Sequence, residues 1–359
     1  MKKLSLPVWT IVAPLVAWAA YGGSLLVAAS FMQFLLAACL IGAVLAAVHH
    51  AEVVAHWVGE PFGTLLLALA ITIIEVALIV SIMVSGGPET TALARDTVFA
   101  AVMIILTGIV GLCLLIGGIK YREQTFSLPG VNAGLMTLTA IVVLTLLLPN
   151  YTTSKAGPYY TPLQLTFVAI VSLVLYGAFV LIQTVRHRDY FLPAEPRQDE
   201  DMHAAPPTRL TAITSLALLL LSLGVVVILA KSLSAGIEDM VVAAGAPKSL
   251  VGIIIAAVVL LPEGLAACRA ASLNRLQTSL NLALGSALAS IGLTIPAVAL
   301  LSMFTGLPVT LGIDMKSTLL LLLALFTTML SLANGRTNVL QGVVLLLIFA
   351  VYLFTTVAP

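Results

Sequence analysis

The amino-acid sequence predicts an all-α integral membrane protein with about eleven transmembrane helices. Hydrophobic residues make up 61% of its 359 residues and charged residues only 9%, whereas soluble domains average about 45–50% and about 25%. Apolar runs of about 20 residues, long enough to cross the hydrocarbon as a helix, recur along the whole chain. A soluble protein of this size could not cover its surface with so few charges, so the composition excludes that class.

Each predicted helix is an apolar run bounded by turn-forming residues such as Gly22-Gly23 and Asn334-Gly335. The first run follows two lysines, as in a signal peptide, but further apolar runs come at once, so we expect an uncleaved helix. The predicted helices cover residues 6–21, 24–48, 61–85, 97–119, 132–149, 163–185, 209–231, 247–268, 278–302, 317–333 and 338–357.

The lysines and arginines of the connectors predict the orientation, because cytoplasmic loops carry an excess of both. With the N-terminus in the cytoplasm, eleven of the sixteen lie on that side and five on the other. Since the helix count is odd, we expect the C-terminus outside. The five outer residues are Arg95, Lys155, Lys231, Lys248 and Lys316.

One long polar connector divides the chain near its middle, with five predicted helices on each side of it after the first helix. An odd number of helices per repeat inverts the second copy in the membrane. The acidic run at 199–201 in this connector either collects cations and regulates, or is simply solvated. The predicted organisation is an N-terminal helix (1–22), a first repeat (23–185), a cytoplasmic loop (186–208) and a second repeat (209–359).

Two carboxylates lie where acidic residues are costly. Of the fifteen Asp and Glu residues, only Glu75 and Glu263 fall well inside apolar spans, and an offset of 188 residues (263 less 75) relates them. A rise of about 1.5 Å per residue from the nearest upstream prolines places both about 20 Å deep, where an acid costs on the order of 3 kcal/mol. A protonated glutamate that hydrogen-bonds between helices is the structural alternative to a functional site.

Oxygen atoms beside the two acids complete a candidate cation site. Pro262 has no N–H, so the carbonyl of Val258 loses its usual donor. Thr72 lies one turn before Glu75 and supplies either a ligand oxygen or a hydrogen bond to its own helix.

Ser286 begins a stripe of hydroxyls, with Ser290 and Thr294, that recurs every four residues on one helix face. Such a stripe either lines a site or joins two helices. Two carboxylates can neutralise one divalent cation, or each can hold a proton in its absence, and a protonated acid is a poor ligand. The residues therefore predict cation/proton antiport.

The segments around the two acids resemble the two α-repeats of the calcium/cation antiporter superfamily. Within it they are most similar to the cation/proton exchanger branch and its bacterial ChaA-type Ca2+/H+ (Na+/H+) antiporters. The segments are residues 59–85, with ALAITIIEVALIVSIM, and 247–296, with IIIAAVVLLPEGLAAC. The resemblance implies a secondary transporter of the bacterial inner membrane that exports Ca2+ for protons by alternating access, with both held by Glu75 and Glu263.

The resemblance also implies that Glu52 and Glu238 lie near the mouth of the cavity and help relay protons or cations. The wider branch carries Gly-Asn before each acid, in the pattern GNxxE, but the matching positions here are Ile71-Thr72 and Val259-Leu260. Fewer amide oxygens favour Na+ or K+ over Ca2+, so a Na+(K+)/H+ antiporter on the same scaffold is the alternative.

Histidines and acids cluster at the end of the second predicted helix: His49, His50, Glu52, His56 and Glu60. Glu52, His56 and Glu60 follow one another at intervals of four residues and share a helix face. Because histidine titrates near neutral pH, the cluster is a cytoplasmic pH sensor, a zinc site or a solvated interfacial face.

Other functional classes find no support in the sequence. A net charge of +1 gives no reason to expect nucleic acid, and no P-loop or Rossmann pattern predicts a nucleotide or another cofactor. The expected partners are inorganic cations, protons and the lipid bilayer. An intramembrane protease or prenyl transferase would place a Gly-Asp or DDxxD-like motif in a span, and a passive channel would not need paired buried acids.

The cysteines Cys39, Cys113 and Cys268 are predicted to be small buried hydrophobic residues.

Overall fold

The computed structural model is almost entirely helical and describes residues 6–26, 30–59, 62–86, 90–192, 207–243, 245, 247 and 249–358. In this part of the chain nine helices are long and apolar enough to cross a membrane, and two shorter apolar segments, Val8–Ser24 and Leu69–Val84, complete the predicted eleven. The helices are α1 Val8–Ser24, α2 Ser30–Val58, α3 Phe62–Gly86, α4 Leu93–Tyr121, α5 Leu128–Asn150, α6 Pro162–Arg186, α7 Arg209–Ala243, α8 Ser249–Ser272, α9 Leu276–Thr305, α10 Met315–Leu332 and α11 Val339–Val357. The prediction of an all-α membrane protein is confirmed.

Two predicted helix ends were wrong. Helix α2 ends at Val58 rather than 48, and α7 ends at Ala243 rather than 231. Polar residues mark where a helix leaves the hydrocarbon, but the backbone hydrogen bonds continue until a residue stops them. Here Gly59, with φ +79°, caps α2 by donating its N–H to the carbonyl of Ala55 at 2.9 Å. Lys231, predicted in an outer connector, consequently lies within α7.

The chain forms two compact units, each of which takes helices from both halves of the sequence. Unit 1 comprises Met1–Ile82 and Arg197–Gly245, and therefore holds α1, α2, α7 and α3 as far as Ile82. Helix α2 packs along both α7 and α1. The indole N–H of Trp18 on α1 donates to the carbonyl of Leu221 on α7 at 3.1 Å, which fastens the N-terminal helix within the unit.

Unit 2 comprises Met83–Pro196 and Ala246–Pro359, and holds α4–α6 and α8–α11. Helix α9 lies at its centre and packs against α4, α5, α6 and α8. Helix α4 is also mostly buried. It approaches α11 closely at Gly342, where an added Cβ would lie 2.5 Å from the backbone nitrogen of Leu115 on α4. Small residues at such contacts let transmembrane helices approach each other closely.

The connectors of unit 2 gather at two opposite ends of its helices. At one end Thr310 donates to the carbonyl of Thr91, and Gly312 to that of Pro158, each at 3.0 Å. At the other end the two-residue strands β1 (Gln124–Thr125) and β2 (Arg336–Thr337) pair in antiparallel fashion. The connectors that meet at each end are those that were predicted to lie on the same side of the membrane. Which of the two ends faces the cytoplasm stays a prediction.

Candidate cation site

Glu75 lies in the middle of α3, inside unit 1. It follows Phe62 by thirteen residues and precedes Gly86 by eleven, which at about 1.5 Å per residue is about 20 Å and about 17 Å from the two helix ends. Its side chain is 3% exposed, and so is that of Thr72, one helical turn earlier. The acid and the predicted accessory hydroxyl are therefore both buried on one helix.

Glu263 lies in the middle of α8, inside unit 2, fourteen residues after Ser249 and nine before Ser272. Its side chain is half-buried. The hydroxyl of Ser286 on α9 donates to Oε1 of Glu263 at 3.2 Å. The hydroxyl stripe of α9 therefore begins at the acid, and its next member, Ser290, is buried at 2% exposure.

Helix α8 runs through Pro262 without interruption, from Ser249 to Ser272. A proline inside a helix leaves the carbonyl four residues earlier without its normal donor, and here that is Val258. The accessory oxygen predicted for Val258 consequently arises within a continuous helix, and no break in the chain is needed.

An irregular turn of α4, which no sequence pattern predicted, packs against Gly264, the residue after Glu263. Residues Ile104–Ile109 form a π-helical turn, a distortion that frequently marks functional sites. A Cβ added to Gly264, next to Glu263, would lie 3.3 Å from Cδ1 of Ile109. Within this turn the buried hydroxyl of Thr107 donates to the carbonyl of Met103 at 2.6 Å.

The helices that carry the two acids have corresponding ends when the first is shifted along the chain by the same offset as the acids. Adding the offset of 188 to Phe62 and Gly86, the ends of α3, gives 250 and 274, close to the ends of α8 at Ser249 and Ser272. Glu75 belongs to unit 1 and Glu263 to unit 2.

Of the two predicted accessory acids, the structure describes the side chain of Glu52 but not that of Glu238. Glu52 is exposed on α2, six residues before its end at Val58. The backbone of Glu238 lies within α7, but its side chain is outside the described residues. Glu60 and the acidic run at 199–201 also lie outside them.

The three histidines of α2 do not share one environment. His50 is completely buried, and its Nε2 lies 3.0 Å from the carbonyl of Thr10 on α1, so this nitrogen carries the hydrogen. Its Nδ1 lies 3.4 Å from the hydroxyl of Ser215 on α7. His49 is half-buried, whereas His56 is exposed. Among the described residues no group of three His, Cys, Asp or Glu is placed to hold a metal.

Two cysteines that are far apart in sequence meet in unit 2. The sulfur atoms of Cys113 on α4 and Cys268 on α8 lie 3.9 Å apart, and both are free thiols. Cys113 is buried as predicted, whereas Cys39 and Cys268 are partly exposed. The spacing of 155 residues carried no signal of this contact.

Known proteins resemble this chain over nearly all of its length. Residues 28–185 and 214–358 match the family described as sodium/calcium exchanger protein. The ionic transporter y4hA of Sinorhizobium fredii is 46% identical, over 100% of this chain and 98% of that protein. The sodium-potassium/proton antiporter ChaA of Escherichia coli is 33% identical, over 89% and 87%. The crystal structure of the H+/Ca2+ exchanger CAX superposes with a TM-score of 0.71 at 17% identity, over 96% of this chain and 88% of that one, so the two share a fold.

Proposed function

Because the chain belongs to the sodium/calcium exchanger family, we propose that it is a secondary transporter that exports Ca2+ in exchange for protons by alternating access. Glu75 and Glu263 hold the cation and, in its absence, the protons. The observation that carries this proposal is their placement: of the acids that the structure describes, these two lie at least nine residues from either end of their helix.

The chemistry follows from the oxygen atoms around the two acids. Carboxylates, hydroxyls and backbone carbonyls are the ligands that hard cations prefer. Glu263 has the Ser286 hydroxyl at 3.2 Å, and Glu75 shares its helix face with Thr72. A carboxylate that holds a proton binds a cation poorly, so cation and protons occupy the site in turn and each drives the release of the other.

Exchange of Na+ or K+ for protons is the second candidate. It is favoured by Ile71-Thr72 and Val259-Leu260, which stand where the wider exchangers carry Gly-Asn, so these positions supply no side-chain amide oxygen. The relative named as a sodium-potassium/proton antiporter is 33% identical over 89% of this chain, whereas a relative named as a Ca(2+)/H(+) antiporter is 28% identical over 38% of it. We place the transporter in the bacterial inner membrane, with the N-terminus in the cytoplasm and the C-terminus outside.

The test measures collapse of a proton gradient in everted membrane vesicles when Ca2+, Na+ or K+ is added. Gln keeps the size and hydrogen-bonding capacity of a protonated Glu but cannot ionise. We therefore expect Glu75→Gln and Glu263→Gln to insert normally and to abolish exchange. Asp variants should keep weak activity, because each carboxylate falls about 1.5 Å short, one C–C bond. The matched control is Glu123→Gln, an exposed loop acid. Near-wild-type exchange in either buried Gln variant would show that the acids are structural.

A further inference from the structure

Unit 2 contains a cavity of about 330 Å³ at the end of its helices opposite to the β1–β2 pair. The cavity lies among α4, α8, α10, α11 and the connector before α10. Its charged and phenolic lining residues are Arg95, Asp96, Asp314, Lys316 and Tyr352. The predicted orientation places this end outside the cell.

One of the two acids of this cavity, Asp96, already forms an ion pair with a cationic side chain of the protein, Arg95. Arg95 Nε lies 2.8 Å from Oδ1 of Asp96, and the two side chains are 22% and 26% exposed. A second guanidinium nitrogen, Nη1, donates to the carbonyl of Gly312 at 3.1 Å. The Arg95 guanidinium therefore occupies the position that a soluble cation would take beside the carboxylate.

Further oxygen atoms face the same space. Tyr352 is only 3% exposed and lines the cavity, and none of the hydrogen bonds among the described residues uses its hydroxyl. Asp314 contributes a second carboxylate, of which Oδ2 accepts the backbone N–H of Ser317 at 3.4 Å. The ammonium of Lys316 donates to the carbonyl of Thr355 at 2.6 Å. Two carboxylates and a phenol are a hard-cation ligand set.

We propose that this cavity is a second cation station, at which the transported inorganic cation displaces Arg95 from Asp96. The inference rests on the proposed cation exchange. A Cβ on Gly252 would lie 3.3 Å from the carbonyl carbon of Asp96, and Gly252 precedes Glu263 by eleven residues on α8. The station is therefore about 17 Å along that helix from Glu263, in the direction of the predicted outer surface.

Arg95 sets the affinity of the station. With two cationic and two anionic side chains in its lining, the cavity has no net charge until the guanidinium leaves. An ion pair of this exposure changes an equilibrium by up to about fivefold. The guanidinium thus acts as a built-in competitor that weakens cation binding at the station and favours release.

The first test compares half-saturating cation concentrations from the two sides, in right-side-out and everted vesicles. Arg95→Gln should lower the external value by about two- to fivefold and leave the cytoplasmic value unchanged. Asp96→Asn should raise the external value, and the double variant should behave like Asp96→Asn, because Arg95 acts through that carboxylate. The control is Lys155→Gln, which removes one positive charge from an exposed connector. Equal effects of Arg95→Gln and Lys155→Gln, or equal changes on both sides, would overturn the proposal.

A second measurement reads binding without transport. Tb3+ binds to hard oxygen ligands and emits strongly when an adjacent tyrosine transfers its excitation. Purified protein should show Tyr-sensitised Tb3+ luminescence that Ca2+ competes away and that Tyr352→Phe and Asp96→Asn reduce. Unchanged luminescence in Tyr352→Phe, with exchange intact and still abolished by Glu263→Gln, would overturn the station alone. Absence of any exchange, with the Tyr352-dependent signal present, would refute the proposed function and leave the station standing.

Discussion

Replacing Ser286 by alanine removes one hydrogen bond from the proposed cation site and leaves helix α9 otherwise intact. The hydroxyl donates to Oε1 of Glu263 at 3.2 Å, longer than the usual O–H···O separation of about 2.7–2.8 Å, and both side chains are half-buried. Hydrogen bonds to charged groups contribute about 1.5–3 kcal/mol. The long distance and the partial exposure place this one at or just below the lower limit, about 1–1.5 kcal/mol.

We therefore expect Ser286→Ala to raise the half-saturating cation concentration about five- to tenfold, since 1.4 kcal/mol is a factor of ten. The carboxylate loses the group that fixes its orientation, and the cation loses a candidate ligand oxygen. The assay is cation-dependent collapse of the proton gradient in everted vesicles at constant pH, with protein quantity measured in the same membranes. The maximal rate should change much less.

Two further variants make this result interpretable. Ser286→Thr retains the hydroxyl and should stay close to wild type. Ser302→Ala makes the same change elsewhere on α9, where the hydroxyl donates to the carbonyl of Leu307 at 2.7 Å, and it should not alter cation dependence. If Ser286→Ala and Ser302→Ala give the same half-saturating concentration as wild type, the contact with Glu263 plays no part in binding.

Reporters test the orientation: one fused after Pro359 should register outside and one within 195–205 in the cytoplasm, and the same side for both would contradict the inverted arrangement. Gly342→Ala should destabilise the protein by about 1–3 kcal/mol, because its Cβ would meet helix α4 at 2.5 Å, whereas Gly285→Ala, with nothing within 4 Å, should be neutral or slightly stabilising; equal unfolding temperatures would refute this packing. If the exposed His56 senses cytoplasmic pH, His56→Gln should shift the pH profile of exchange at unchanged thermal stability, whereas His50→Gln should lower that stability by loosening α1; an unshifted profile would make His56 a merely solvated residue.

Hydropathy predicted the helices because each membrane crossing requires its own apolar run, but it could not predict where a helix stops. The signals that stop α2 and α7 were present in the sequence as glycine with proline two residues later, Gly59 with Pro61 and Gly245 with Pro247. Both glycines have positive φ, +79° and +72°, the conformation that ends helices. Weighting these signals above polarity would have predicted both ends.

Contacts between distant segments were beyond prediction from one sequence. The position of Glu75 in its span followed from counting residues, and Ser286 was predicted as an accessory oxygen. The acid that it contacts could not be read from the sequence: its hydroxyl donates to Glu263, 23 residues earlier. The π-helical turn at Ile104–Ile109 depends on packing, since its residues are as apolar as those of any regular turn. The same holds for the cavity at Asp96, because its lining comes from four separate stretches of the chain.

The two acids occupy unlike surroundings although an offset of 188 residues relates them. Glu75 is 3% exposed, and its nearest predicted hydroxyl, Thr72, belongs to the same helix. Glu263 is half-buried, and its hydroxyl partner Ser286 comes from a neighbouring helix. A ligand on the same helix keeps its position whenever that helix moves, whereas a ligand on another helix changes position if α8 and α9 shift against each other. Under the proposed exchange, a shift between α8 and α9 would separate Glu263 from Ser286, while Thr72 would keep its place on the helix of Glu75. We therefore propose Glu263 as the acid at which a conformational change alters cation affinity.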